Sequence, residues 1–368
     1  MKFVYSALIF LLFFVSHSYS DSEKDGLSLS GYFQSGAGII HIISNSVVSN
    51  TSYAGKSTLR LNFVNNDTGL AKLDGSVDFN ILYGKYANLY LESNALRIGE
   101  ESALSVDIRK LYLVLKADNF DFYIGRQLIK FGEGFVFSPL NPFSTIDLTD
   151  VNFTRLGVDG LRLKIPLAII SYFEVVALPK ADFTNSDAAG RVGFNLAGWD
   201  ISFASFYRGK YGYISGGFSF KGDLILGLYG EFAYHYRDET NSFWNTMVGF
   251  DYSFLDKLII RTEYYYHTFS TNDLNILELL NSPVYPFISK NYIMAQLAFS
   301  PTLIDSLYLS YLDNLENEAV LLIFSYKRNL YQNVNLTFDI KYSIKDLTGL
   351  EIIKFETLYY ALQLEVRY

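Results

Sequence analysis

The sequence predicts an all-β fold, a transmembrane antiparallel up-and-down β-barrel of about 18 strands with 16 as the alternative count, and three observations point to it. Half of the 368 residues are hydrophobic and 17% are aromatic, chiefly Tyr (30) and Phe (31), types favoured in strands and at lipid headgroup depth. Beyond the N-terminal segment, however, no apolar run approaches the ~18 residues that a membrane-crossing helix requires. Polar and apolar residues instead alternate, and short connections between the alternating segments take turns with longer ones.

Side chains on a strand point to opposite faces, so a barrel wall needs apolar residues at one parity and polar residues at the other. From Leu224 to Arg237 the even positions include Leu224, Leu226, Leu228, Phe232, Tyr234 and Tyr236, while the odd ones include Glu231, His235 and Arg237. Leu258 to Thr268 repeats the division, with Ile260, Tyr264 and Tyr266 against Arg261, Glu263 and His267. So do Val334 to Tyr342 and the final segment, Thr357 to Tyr368. Each is about ten residues, enough to cross a bilayer when tilted. A soluble β-sandwich alternates too. Two segments break the pattern. In Ser105 to Ala117, Lys110 and Lys116 share parity with Val106, Ile108 and Val114; Ile169 to Leu178 is apolar on both faces, which suits a strand lying beneath an infolded loop.

The spacing of the connections separates the barrel from the sandwich. Short ones fall near Asn66 to Gly69, Asp118-Asn119, Pro166 to Ala168, Gly198 to Asp200, Lys221 to Asp223, Leu255 to Lys257, Ser300 to Asp305 and Lys327 to Gln332. Longer ones are Ile43 to Ser57, Gly84 to Leu104, Gln127 to Gly157, Pro179 to Gly190, Phe269 to Lys290 and Ser343 to Glu356. Short turns on one rim and long loops on the other, with both termini on the short-turn side, are the pattern of outer-membrane barrels.

Residues 1–20 read as a secretory signal peptide: Lys2, an apolar run from Phe3 to Val15, and small residues before a cleavage site after Ser20. Residues 21–368 form one barrel domain. Its first strand begins near Leu27, leaving no room for a plug domain ahead of it. The net charge of −8 excludes a nucleic-acid partner, and the absence of cysteine leaves a closed, fully paired sheet as the source of stability.

Two stretches carry a resemblance. The last strand ends on the aromatic Tyr368, as does the strand by which outer-membrane proteins are recognised for insertion, where Phe is usual. The stretch Gly125-Arg126-Gln127-Leu128-Ile129-Lys130-Phe131-Gly132-Glu133-Gly134, then Ser138-Pro139-Leu140-Asn141-Pro142-Phe143 and Arg155-Leu156-Gly157-Val158-Asp159-Gly160, is similar to a segment of several bacterial porin-like barrel families. The resemblance implies an outer-membrane porin-like barrel, names no substrate, and carries homotrimer formation as an expectation.

A barrel of this strand number is too wide for wall side chains to fill, so its lumen holds water unless a loop intrudes. The Gln127 to Gly157 connection is the candidate for intrusion, because Phe131, Phe135, Phe137 and Phe143 avoid bulk water. Beside it lie Arg126, Lys130, Arg155 and Arg162 with Glu133, Asp147, Asp150 and Asp159, opposed charges that suit a constriction, Arg126 and Arg162 being the strand-borne pair expected to face inward. A second inward cluster comprises Glu231, His235, Arg261, Glu263 and His267 on what read as two neighbouring strands, expected to form cross-strand carboxylate and base pairs. The histidines have no diagnostic metal spacing, and neither metal nor cofactor is expected. The function these features imply is passive diffusion of small hydrophilic solutes across the bacterial outer membrane, with membrane lipids and those solutes as partners. The acidic balance favours cations. An adhesin or structural barrel is the alternative, and a barrel lipid hydrolase a further one; an enzyme is not expected, since His235 and His267 point inward, away from the membrane face.

Overall fold

In a computed structural model the described residues are 27–44, 47–65, 70–84, 96–143, 146–148, 150–151, 153–238, 242–269, 284, 286–345 and 356–368. The signal-peptide segment lies outside them. Strands β1 (Leu27–Ser44), β2 (Val47–Asn65), β3 (Ala71–Gly84), β4 (Leu96–Gly99), β5 (Ser102–Ala117), β6 (Phe120–Gln127), β7 (Val158–Ala168), β8 (Ser171–Leu178) and β9 (Asp187–Leu196) are followed by β10 (Trp199–Arg208), β11 (Tyr213–Asp223), β12 (Gly227–Tyr236), β13 (Phe243–Phe254), β14 (Leu258–His267), β15 (Asn291–Phe299), β16 (Asp305–Asn314), β17 (Ala319–Tyr331), β18 (Val334–Ile344) and β19 (Glu356–Arg367). Every wall strand pairs antiparallel with its sequence neighbours, and β1 pairs with β19 from Tyr32↔Arg367 to Ile43↔Glu356, closing an 18-strand ring. Reciprocal backbone bonds between Gly31 and Tyr368, 3.0 and 3.1 Å, seal the seam at the last residue. The short β4 adds only to the upper end of β5 and stands outside the ring.

Parity places the faces as the sequence predicts. Phe203, Phe218, Tyr234, Val248, Phe250, Leu297 and Leu364 are exposed on the outer surface, whereas Glu231, Asn245, Glu263, His267, Asn335 and Asp339 point inward and are buried. Trp244 and Phe254 lie at opposite ends of the outer face of β13, about ten strand residues apart, which at the usual tilt spans the ~25 Å apolar band of such barrels.

The conflicting parity of β5 has a local cause. Ser76 pairs with Lys110 but Val77 pairs with Ile108, so Arg109 is an extra residue, a β-bulge. A one-residue insertion exchanges the faces. Val106 and Ile108 therefore face out before the bulge and Leu111 and Leu115 after it, while Lys110 turns inward to pair with Asp74 at 2.7 Å. The doubly apolar β8 is explained by what covers it: Val176 and Leu178 are buried beneath the 128–157 connection, while Phe173 and Val175 face outward.

Connection lengths follow the expected alternation in part: on the rim of longer connections, β10–β11 and β16–β17 are joined by only four residues each, 209–212 and 315–318, and Ile43 to Ser57 also needs correcting. There the wall continues through β1 and β2, 18 and 19 residues long, so that predicted loop is a tall hairpin. About a quarter of the way round the ring, β6 and β8 have 8 residues each, so the wall is uneven in height.

Candidate functional site: a loop-narrowed lumen

The connection between β6 and β7 turns into the barrel. Ile129, Phe131, Leu140 and Phe143 pack against Val176, Leu178, Ala189, Ala204, Phe206 and Ala233 of the wall. Val136, Phe137, Ile146 and Phe153 pack against Tyr229, Met247, Tyr265, Tyr292, Met294 and Leu312. Phe137 is fully buried, stacked on Tyr265 at 5.2 Å and edge-on to Phe287 at 4.8 Å. Phe137→Ala is expected to cost about 3–5 kcal/mol of the seating energy, through lost burial plus a cavity, and to make the loop a new cleavage site in limited proteolysis.

Apolar contact alone does not fix a loop's path; its backbone polar groups must also be satisfied. Two wall carboxylates do this. Glu231 accepts from the Gly134 N–H (2.7 Å), the Leu140 N–H (3.0 Å) and the Ser138 hydroxyl (3.0 Å). Glu263 accepts from the backbone N–H of Phe135, of Val136 (2.9 Å) and of Phe137 (3.0 Å), and from the Tyr229 hydroxyl (3.0 Å). Glycine is required at this contact: a Cβ on Gly132 would lie 2.3 Å from a Glu231 oxygen, and one on Gly134 would lie 1.6 Å from the Phe137 carbonyl. Wall cations and an amide hold the loop's carbonyls. Arg191 donates to Phe131 O (2.8 Å), Arg208 to Pro142 O, and Gln296 to Val151 O (2.9 Å).

The second predicted cluster therefore needs correcting. β13 lies between β12 and β14, so its members do not sit on neighbouring strands, and Glu231 and Glu263 bind loop amides in place of pairing with bases. His235 lies between Ser215 (2.8 Å) and Asn245 (3.0 Å) and stacks on Phe243; His267 accepts from the Phe269 N–H (3.1 Å) and contacts Phe287 O (3.1 Å). Both histidines are buried packing elements. No group of three or more metal-ligating side chains occurs among the described residues.

The first cluster divides. Arg126 shares parity with the outward Phe120 and Ile124, and it pairs with the exposed Asp159 (2.6 Å) and caps Ile108 O beside the bulge (3.1 Å). Neither Arg126 nor Asp159 lines the lumen, contrary to expectation. Arg162 does face inward, bound to Glu174 (2.7 Å), which Arg191 grips from the other side (2.8 Å). Asp147 and Asp150 sit on the loop's return turn, where Asp150 accepts from the Thr154 hydroxyl (2.8 Å) and both interact electrostatically with Lys341 of β18. Glu133 forms the underside of the loop, lining a cavity of about 370 Å³ with Lys164 and Tyr172.

Three cations remain, Arg261 on wall strand β14 against Phe135, and Arg155 and Lys130 on the loop itself. Arg261 lies over the Phe135 ring at 4.1 Å, Arg155 donates to Val136 O at 3.0 Å, and exposed Lys130 reaches Glu133 O at 3.4 Å. None has an ion-pair partner among the described residues. Desolvation lowers the Lys130 ammonium from its ordinary value, with Glu133 opposing the shift and Arg155 adding to it. Arg155 is lowered likewise by desolvation, against the pull of Glu231 and Glu263. Sequence reasoning named all three cations but missed Arg191, Arg208 and Gln296, whose inward parity was the available signal.

No protein-family model and no curated protein matches this chain. Solved structures do. OpdQ of Pseudomonas aeruginosa superposes with a TM-score of 0.61 at 9% identity, covering 93% of this chain and 97% of that one. The fold is shared. OccAB4 of Acinetobacter baumannii gives 0.58 at 9% identity over 94% and 100% of the two chains, and the outer membrane protein opdK from P. aeruginosa gives 0.55 at 7% over 93% and 99%.

Proposed function

We propose that the protein is a passive diffusion channel for small hydrophilic solutes in the bacterial outer membrane, its bore set by the inserted β6–β7 loop. One observation carries this reading: the loop packs mainly against β8 to β16. Its return turn reaches Lys341 of β18, yet Arg60, Arg109, Lys110 and Lys327, inward cations of β2, β5 and β17, retain 22, 30, 39 and 33% exposure. That exposure supports a water-accessible passage past the loop. The ring of outward apolar residues supports a lipid-facing exterior, and likeness to an outer-membrane protein of the same fold agrees with the location.

Charge at the neck argues against the cation preference that the acidic composition suggests. On the open wall Asp78 pairs with Arg60 (2.6 Å), Asp74 with Lys110 (2.7 Å) and Glu365 with Lys327 (3.6 Å), leaving Asp107 and Asp339 on neutral partners, while Lys130, Arg155 and Arg261 at the neck have no ion-pair partner among the described residues. Unpaired cations in a narrow aqueous pore favour anions. Under a salt gradient the reversal potential is expected to show anion preference, and replacing the three cations together with Gln is expected to shift it toward cations. An unchanged reversal potential would remove them from the selectivity account.

A further inference from the structure

Several tips of the short turns are aliphatic, where exposed turns ordinarily carry Gly, Asn, Asp, Ser or Pro. Ile169 between β7 and β8 is 102% exposed, Ile225 between β11 and β12 88%, Leu255 between β13 and β14 75%, and Leu303 between β15 and β16 106%. Leu70 before β3 and Leu196 at the end of β9 continue the series on other turns. At Leu255 an aliphatic side chain is kept against the backbone's preference. Leu255 and Asp256 have φ of +50° and +53°, the tight hairpin geometry that Asn-Gly or Asp-Gly adopts with least strain.

We infer that the short-turn rim is a lipid-inserted element, its aliphatic tips seated at the headgroup and acyl boundary of the periplasmic leaflet. This rests on the reading of the wall as membrane-spanning. Two features favour lipid over a protein partner. The tips occupy successive hairpins from β7 to β16, with Leu70 beyond them before β3, an arc of more than half the rim that follows the lipid around a barrel. They also continue the outward apolar wall, with Trp199 and Phe254 on the strand ends directly beside them and charges such as Lys257 next in sequence, an interfacial composition.

The chain has no cysteine, so single-cysteine labelling reports one position at a time. I225C, L255C and L303C would carry a polarity-sensitive fluorophore in vesicles of phosphatidylethanolamine and phosphatidylglycerol containing acyl-brominated phosphatidylcholine. V248C on the outer wall and N119C on the polar Asp118-Asn119 turn serve as references. The three tips are expected to show blue-shifted emission and bromolipid quenching about half that of V248C or more, with little quenching by aqueous iodide. N119C is expected to show the reverse. Tips reached by iodide like N119C, with V248C still quenched by lipid, would overturn this inference and leave the channel reading intact. Failure of V248C itself would overturn the membrane-spanning wall. Tips open to iodide in vesicles but shielded in native membrane fragments would also overturn it, in favour of a periplasmic protein. Three separate tips keep the test decisive if one variant does not fold.

Discussion

Excising residues 129–155 and joining the ends through a short glycine linker is expected to raise single-channel conductance by a factor on the order of 3 or more, with loss of ion preference at the neck. The ring should survive, because β6 and β7 already pair from Asp121↔Lys164 to Gln127↔Val158 without help from the loop. What disappears is the mass packed against β8 to β16. That leaves Tyr229, Met247, Tyr292 and Met294 facing water, so the variant should also be less heat-stable. Conductance equal to the parent's would mean that the loop does not set the bore.

Glu231→Ala with Glu263→Ala is expected to have the next largest effect, because it removes the acceptors while leaving the donors in place. Each carboxylate serves at least two loop N–H groups plus a hydroxyl. Orphaning them costs on the order of 3 kcal/mol or more per carboxylate, since bonds to a charged group exceed ordinary ones and an unpaired buried donor adds its own penalty. The seated loop would then exchange with an unseated one. Current traces should flicker between the parent level and the level of the excised variant. Glutamine should rescue only in part: its carboxamide has one acceptor oxygen, and its NH2 would face amide donors. Steady parent-level currents in the alanine double variant would show that apolar packing alone seats the loop.

Much of this was legible in the sequence because the barrel imposes a period of two. Glu231 and Glu263 could be placed inward by counting, and the four phenylalanines of the 128–157 connection identified it as the segment that leaves the surface. Their partnership could not be read, since it joins residues about a hundred positions apart through backbone amides, which leave no side-chain signature. Arg126 is different. Counting from Phe120, Phe122 and Ile124 places it outward, but the expectation that a strand-borne arginine seeks water overrode the count. At the membrane edge Asp159 and a bulge carbonyl meet that need. The bulge itself was invisible: Arg109 looks like any wall residue, and only the pairing with β3 shows that it is extra.

The pore itself is best tested by reconstituting the purified protein and its loop-excised variant in planar bilayers, side by side. Small ohmic steps from the parent and larger steps from the variant are the result expected of a barrel with a water-filled passage beside a seated loop. No steps from either protein, when both are folded and inserted, would contradict it.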